Sequence, residues 1–227
     1  MIYVDSNKNL VHISLDRNAI NYCWTLAEGR MKYHKWGDNA STPESKEWLQ
    51  GLQNNEKDKF KTERIGLYGE KAFSLLTGLP VDETIKSKGD KWDFMIGDKK
   101  IDEKNHKIFY KEITEKKNLY GPFFFKATSN DGKRLLPLKS DYYFFSYLND
   151  FEDINEMTTN EIIVTMCGAI TKEEISKYRK ARIGDPLTRK KVKFKNYYIN
   201  EKELISPVDF LWQFKDYIDI KKMDIIM

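Results

Sequence analysis

The sequence predicts an α/β domain: a mixed central sheet flanked by helices, with a hairpin and helical extension at the N-terminus. Hydrophobic residues make up 40% and aromatics 14% of the 227 positions, enough to bury a sizeable core. Phe60, Ile65, Tyr68, Ala72, Phe73 and Leu76 recur at helical spacing. On either side of them lie short runs rich in β-branched and aromatic residues, separated by Gly, Asn and Asp turns.

Taken in order, Ile2–Val4 and Leu10–Ser14 read as strands around Ser6-Asn7-Lys8-Asn9. Asp16 is placed to cap a helix over Asn18–Lys35, which Gly37-Asp38-Asn39 ends. Ser41 or Thr42, with Pro43 behind, opens a second helix carrying Trp48 and Leu49. The polar run Asn54–Lys59 reads as a domain boundary near residue 58 or equally as a solvated helix start, and target recognition and dimerisation are the roles open to the segment before it. A helix over 59–77 follows, ended by Gly78 with Pro80 beyond. Gly66 and Gly69 sit inside it at a cost of about 1 kcal/mol each against Ala, which calls for a compensating close approach by a strand. Strands are expected at Glu83–Lys86, Trp92–Ile96, Lys99–His106, Pro122–Ala127, Tyr142–Leu148, Glu161–Cys167 and Tyr197–Ile199. Two more helices are expected, Thr171–Lys180 capped by Thr171 and Pro207–Tyr217.

The net charge of +4 permits nucleic-acid binding without requiring it. The two cysteines, Cys23 and Cys167, form no C-x-x-C pair, which argues against a zinc ribbon and for buried thiols. No apolar run has the length of a membrane span or a signal peptide, so the expected setting is cytoplasmic, with no membrane partner.

The chemistry concentrates in residues 89–104. If Gly97-Asp98 is a two-residue turn, Ile96 pairs with Lys99 and Asp93 falls opposite Asp102. Strand alternation then puts Asp93, Asp102 and Lys104 on one face, and Ile101, Glu103 and Asn105 on the other. Adjacent carboxylates repel unless a cation joins them, and oxygen ligands suit Mg²⁺ or Mn²⁺. Such a cation can hold a phosphate oxygen, and a neighbouring lysine can orient a water and offset charge in a phosphorane-like transition state.

These residues resemble the PD-(D/E)XK nuclease superfamily, whose core is restriction-endonuclease-like. Asp93 matches the first acidic position, and Asp102-Glu103-Lys104 the (D/E)XK triplet, while Trp92 stands where the name-giving proline would be. Gly66-Leu67-Tyr68-Gly69-Glu70-Lys71-Ala72-Phe73 resembles the family's first helix. The resemblance covers roughly residues 60–150. It implies a metal-dependent phosphodiesterase, foremost a DNA endonuclease, with a homodimer left open. The implied catalytic set is Glu70, Asp93, Asp102 and Lys104, with Mg²⁺ or Mn²⁺ on Glu70, Asp93, Asp102 and the main-chain carbonyl of Glu103. A catalytically inactive nucleic-acid-binding module of the same fold and an RNA nuclease are the alternatives.

Glu63, two turns before Glu70 on nearly the same helix face, competes with it as a ligand. Asp90 competes with Asp93 but reads better as a turn residue, and His106 as a rim residue. Arg189, Lys190, Lys191, Lys193 and Lys195 are interleaved with aromatics, which suits a phosphate-backbone clamp; Lys126 is a further candidate for phosphate contact.

Overall fold

The computed structural model describes residues 1–5, 9–33, 56–84, 92–107, 123–126, 136–148, 156–177, 180–181, 196–199 and 201–218. The strands are β1 (Ile2–Asp5), β2 (Leu10–Asp16), β3 (Phe94–Ile96), β4 (Lys99–Lys107), β5 (Phe123–Lys126), β6 (Tyr142–Leu148), β7 (Glu161–Thr171), β8 (Lys180–Ala181) and β9 (Asn196–Ile199). The α-helices are α1 (Arg17–Tyr33), α2 (Glu56–Thr77), α3 (Lys172–Ile175) and α4 (Pro207–Gln213).

Six strands form one mixed sheet in the order β1-β2-β7-β6-β4-β3. Only β4 and β6 run parallel; the other neighbours are antiparallel. A parallel pair needs a long crossover. Here the chain between β4 and β6 contributes β5 to a second, three-stranded sheet, β5-β9-β8.

The two faces of the large sheet follow from side-chain alternation. One face presents Val11, Ile13, Phe144, Leu148, Val164, Met166 and Ala169 to the helices. Phe73 of α2 anchors it, with ring centroids 4.7 Å from Phe94 and 5.0 Å from Phe144. Each fully buried phenylalanine contributes about 1.5–3 kcal/mol. The opposite face presents Tyr143, Phe145, Tyr147 and Ile170, which pack with Ile175 of α3 and with Tyr197 and Ile199 of β9.

Local chemistry sets the element ends. Asp16 caps α1 by accepting from the Ala19 N–H at 2.8 Å. Thr171 caps the next short helix, accepting from the Glu174 N–H at 3.1 Å. That helix is much shorter than the expected Thr171–Lys180: α3 ends once Ile175 is buried, and Lys180 already belongs to β8. Likewise α4 stops at Gln213, and residues 214–217 continue as turns. Glu83 and Thr84 are not strand; Asp82 Oδ1 accepts from the Thr84 N–H at 2.9 Å, a local turn that competes with sheet pairing. Residues 85 and 86, and the helix expected after Ser41, lie outside the described residues.

The N-terminal hairpin is continuous with the sheet. β2 pairs with β7 from Val11↔Met166 to Asp16↔Glu161, and α1 packs along α2. Gly168, at φ 130°, makes room at the far side of β7. A Cβ there would overlap the Ile205 carbonyl, and Ala169 and Ile205 exchange both main-chain hydrogen bonds at 2.9 and 2.8 Å. This bridge holds α4 against the core. Both cysteines are buried and free. None of the described helices is long and apolar enough to cross a membrane.

Candidate active site

The site grows out of the β3–β4 hairpin. Gly97 adopts φ 60°, which a side chain would resist, and the two-residue turn pairs Ile96↔Lys99, Met95↔Lys100 and Phe94↔Ile101. The ladder ends there, and Asp93 follows as a bend just before β3. The Asp93 N–H donates to the Ile101 carbonyl at 2.9 Å, and Asp93 Oδ2 accepts from the Glu103 N–H at 2.7 Å. The Asp93 and Asp102 carboxyl groups lie close enough that the charge of Asp102 helps to raise Asp93. Lys104 Nζ donates to Asp102 Oδ1 at 2.6 Å. The turn and the first three pairs are as expected from the sequence, but Asp93 leaves the ladder by bonding to Ile101, and its side-chain bond to the Glu103 N–H is what keeps it beside Asp102 and Lys104.

The parallel pairing with β6 sets Asp102 beside Tyr143, Lys104 beside Phe145 and His106 beside Tyr147. This is the face toward the small sheet, and the His106 ring stacks on Phe145 at 5.9 Å. Burial, then the Lys104 charge, pushes His106 down to about 4, so it is a neutral packing residue.

Glu103 faces the other way, into the helix layer, and is 5% exposed. Its Oε1 accepts from Ser146 Oγ, while Oε2 has no hydrogen-bond partner. Burial, against the pull of the Ser146 hydroxyl, pushes its carboxyl up to about 8. Gly69 of α2 is what lets the strand come this close: a Cβ there would overlap Glu103 Oε2 and come within 2.6 Å of Asn105 Cβ. Asn105 Nδ2 donates to the Ile65 carbonyl at 2.7 Å, fastening the same stretch of helix. Gly69 thus supplies the compensation its place in a helix demands. Gly66 meets nothing within 4 Å, and the structure gives no packing reason for it.

Glu70 lies on α2 with both carboxylate oxygens taken by Arg30 of α1. Arg30 Nη1 and Nη2 reach Oε1 and Oε2 at 3.0 Å each. Nη1 also reaches Glu63 Oε1 at 3.4 Å, and Nη2 the Asp82 carbonyl at 2.9 Å. Glu63 and Glu70, the two rival ligands, are thus two partners of one arginine. Burial raises Glu70, with the paired Arg30 opposing.

The acids act on one another. Burial, then the charges of Glu70 and Asp102, pushes Asp93 well above the ordinary carboxylic range, with Lys104 opposing. Burial alone would depress Lys104, but the adjoining Asp102 and Asp93 outweigh it and keep the amine raised. The two aspartates thus favour the charged form of Lys104.

A divalent cation fits part of this donor set. Two carboxyl groups in contact need a proton or a cation between them, and Asp93 and Asp102 offer only oxygen. Glu70 does not extend the pair, because Arg30 holds it. Among the described residues, no three or more His, Cys, Asp or Glu side chains converge in an arrangement that holds a metal. Residues 189–195 and Asp90 lie outside the described residues, and Lys126 is described only as the last residue of β5, beside Asn196.

Arg30 and the burial of Glu103 escape a reading of motifs, yet Arg30 leaves a trace in the sequence. Ala19, Ile20, Cys23 and Ala27 form the buried stripe of α1, and Arg30 continues it at helical spacing. A charged residue at the end of an apolar stripe calls for a buried counter-charge. No protein-family model, curated protein or solved structure matches the chain.

Proposed function

We propose that the chain is a divalent-metal-dependent nuclease with a restriction-endonuclease-like core, hydrolysing phosphodiester bonds and acting on DNA as an endonuclease. The observation that carries this reading is the contact of Asp93 with Asp102 beside Lys104 on adjoining strands. The α/β architecture, a mixed sheet with helices against it, supports the core assignment.

Asp93 and Asp102 would hold Mg²⁺ or Mn²⁺, which when bound supplies Lewis-acid stabilisation of the phosphodiester. The Glu103 N–H fixes Asp93 through Oδ2, so that carboxyl is oriented before any ligand arrives. Lys104 stays protonated under the influence of both aspartates and supplies a positive charge where the pentacovalent phosphorus gathers negative charge. Removing such a group costs about 10²–10³ in rate.

The direct test is plasmid cleavage by the purified chain with Mg²⁺, beside Asp102→Ala and Lys104→Ala. The expected result is nicking or cutting by the wild type and a loss of about 100-fold or more in each variant. Equal cutting by all three, or no cutting of any duplex, single-stranded or branched DNA, sinks the reading; RNA offered in parallel identifies a ribonuclease.

A second reading, a nucleic-acid-binding module of the same fold without catalysis, draws on the Lys104–Asp102 ion pair and on Glu70 being committed to Arg30. It expects nucleic-acid binding that survives EDTA and is never followed by cleavage.

A further inference from the structure

We infer that Arg30 is a positioning residue that keeps Glu70 out of the metal shell, so that a divalent cation at this site is held by Asp93 and Asp102 without Glu70. This rests on the nuclease reading and refines it, since family resemblance alone counts Glu70 among the ligands.

The geometry carries the inference. The guanidinium meets Glu70 fork to fork, one nitrogen to each oxygen at 3.0 Å. That arrangement uses the lone pair on each oxygen that faces the arginine and leaves only those pointing away. Arg30 is 9% exposed, and the Glu70 side chain 12%, so bulk water does little to screen the pair. A cation bound to Glu70 would stand within a few ångströms of a fixed positive charge in a poorly screened setting. Arg30 cannot shed that charge, because a guanidinium stays protonated in proteins.

Arg30 is also held from two other directions. The Asp82 carbonyl accepts from Nη2 at 2.9 Å, and Glu63 from Nη1 at 3.4 Å. The Glu63 contact, longer than either bond to Glu70, neutralises the arginine without displacing it. Three acceptors from two segments thus fix one guanidinium over Glu70.

The test is the Mn²⁺ affinity of the full chain, read from the EPR signal of free Mn²⁺ and, separately, from the Mn²⁺-induced shift in melting temperature. The variants are E70Q, R30M, the double variant R30M/E70Q and D102N. With Arg30 in place, E70Q should change the Mn²⁺ dissociation constant by less than about 2-fold, while D102N weakens it by more than about 10-fold. R30M frees Glu70 and should tighten binding by about 10-fold, a gain that R30M/E70Q abolishes, because in the cycle the effect of one residue runs through the other. A merely structural Arg30 would lower the melting temperature without this sign reversal in affinity. If R30M does not fold, E70Q against D102N decides alone. A loss of about 10-fold in E70Q shows Glu70 to be a ligand and overturns the inference while leaving the nuclease reading standing. Absence of Mn²⁺ binding in the wild type overturns both.

Discussion

Helix α2 carries two buried arginine–glutamate clusters, and the two are built on different terms. At Arg64 the pairing is one to one. Nε and Nη2 reach Glu156 at 2.8 and 2.7 Å, the Tyr68 hydroxyl donates to the same carboxylate at 2.8 Å, and Trp24 Nε1 donates to that hydroxyl at 3.1 Å. The guanidinium lies over the Trp24 and Phe60 rings at 4.1 and 4.3 Å. Arg17 fastens the same turn by donating to the Glu156 carbonyl at 2.8 Å. At Arg30, one guanidinium serves two carboxylates, and beyond it lie Asp93, Asp102 and a Glu103 oxygen with no partner. The first cluster is satisfied and is read as structure. The second keeps an excess of acid under a low-dielectric roof, a costly arrangement that makes sense where a ligand is to be received.

Substitutions test that contrast most strongly at Arg64. Arg64→Ala leaves Glu156 buried without its partner and should cost about 3–5 kcal/mol in urea unfolding. Mn²⁺ affinity should not move, and Arg64→Lys should recover little, because lysine can neither fork onto the carboxylate nor lie flat on the rings. A change in metal affinity as large as that in R30M would erase the distinction between the clusters.

Acid and base sharpen it next. Glu103 is held up to about 8 in the folded chain by burial, well above its value in an unfolded one. Its contribution to stability is therefore complete below the unfolded value and is lost as pH rises toward and through about 8. Glu103→Gln keeps an acceptor for Ser146 and cannot ionise. It should flatten the decline in melting temperature between acidic and alkaline pH, and gain on the wild type by roughly a few kcal/mol at high pH. A wild-type melting curve with the same slope as the variant would show that this carboxyl is not the buried acid described.

The two helix glycines give the smallest effects and opposite signs. Gly69→Ala drives a methyl into Glu103 and should cost about 1–3 kcal/mol. Gly66→Ala meets open space and should gain up to about 1 kcal/mol from helix propensity. Equal effects in chemical denaturation would mean that β4 does not approach the helix at Gly69 as described.

The sequence is most legible where short-range rules act. The Gly97-Asp98 turn sets the hairpin register from Ile96↔Lys99 to Phe94↔Ile101, so the neighbourhood of Asp93 and Asp102 can be reasoned from a few consecutive residues. Strands β6 and β7 likewise follow from runs rich in aromatic and β-branched residues, and the long helix from its periodicity. Tertiary partners are not written locally. Nothing near Glu70 announces that an arginine 40 positions earlier will occupy it. Nor does any local signal end α3 after a single turn, since that depends on where Ile175 finds its core. Glu83–Thr84 fails as a strand because the Asp82 side chain offers the backbone a nearer partner than any sheet edge.

The position of β2 has a consequence for the order of assembly. Its partner across the sheet is far away in the chain: His12 meets Thr165, 153 residues on, at 2.8 Å. The β3–β4 hairpin, by contrast, closes over a two-residue turn and can form within microseconds. Contacts of high sequence separation come late because their loop-closure entropy falls due before they give anything back. The aspartate pair should therefore be in register before α1, carried by β2, brings Arg30 onto Glu70. For part of its folding life the chain would present Glu63, Glu70, Asp93, Asp102 and Glu103 to the same small region with no arginine among them. Pulse-labelled hydrogen exchange should find the hairpin amides protected ahead of those of β2.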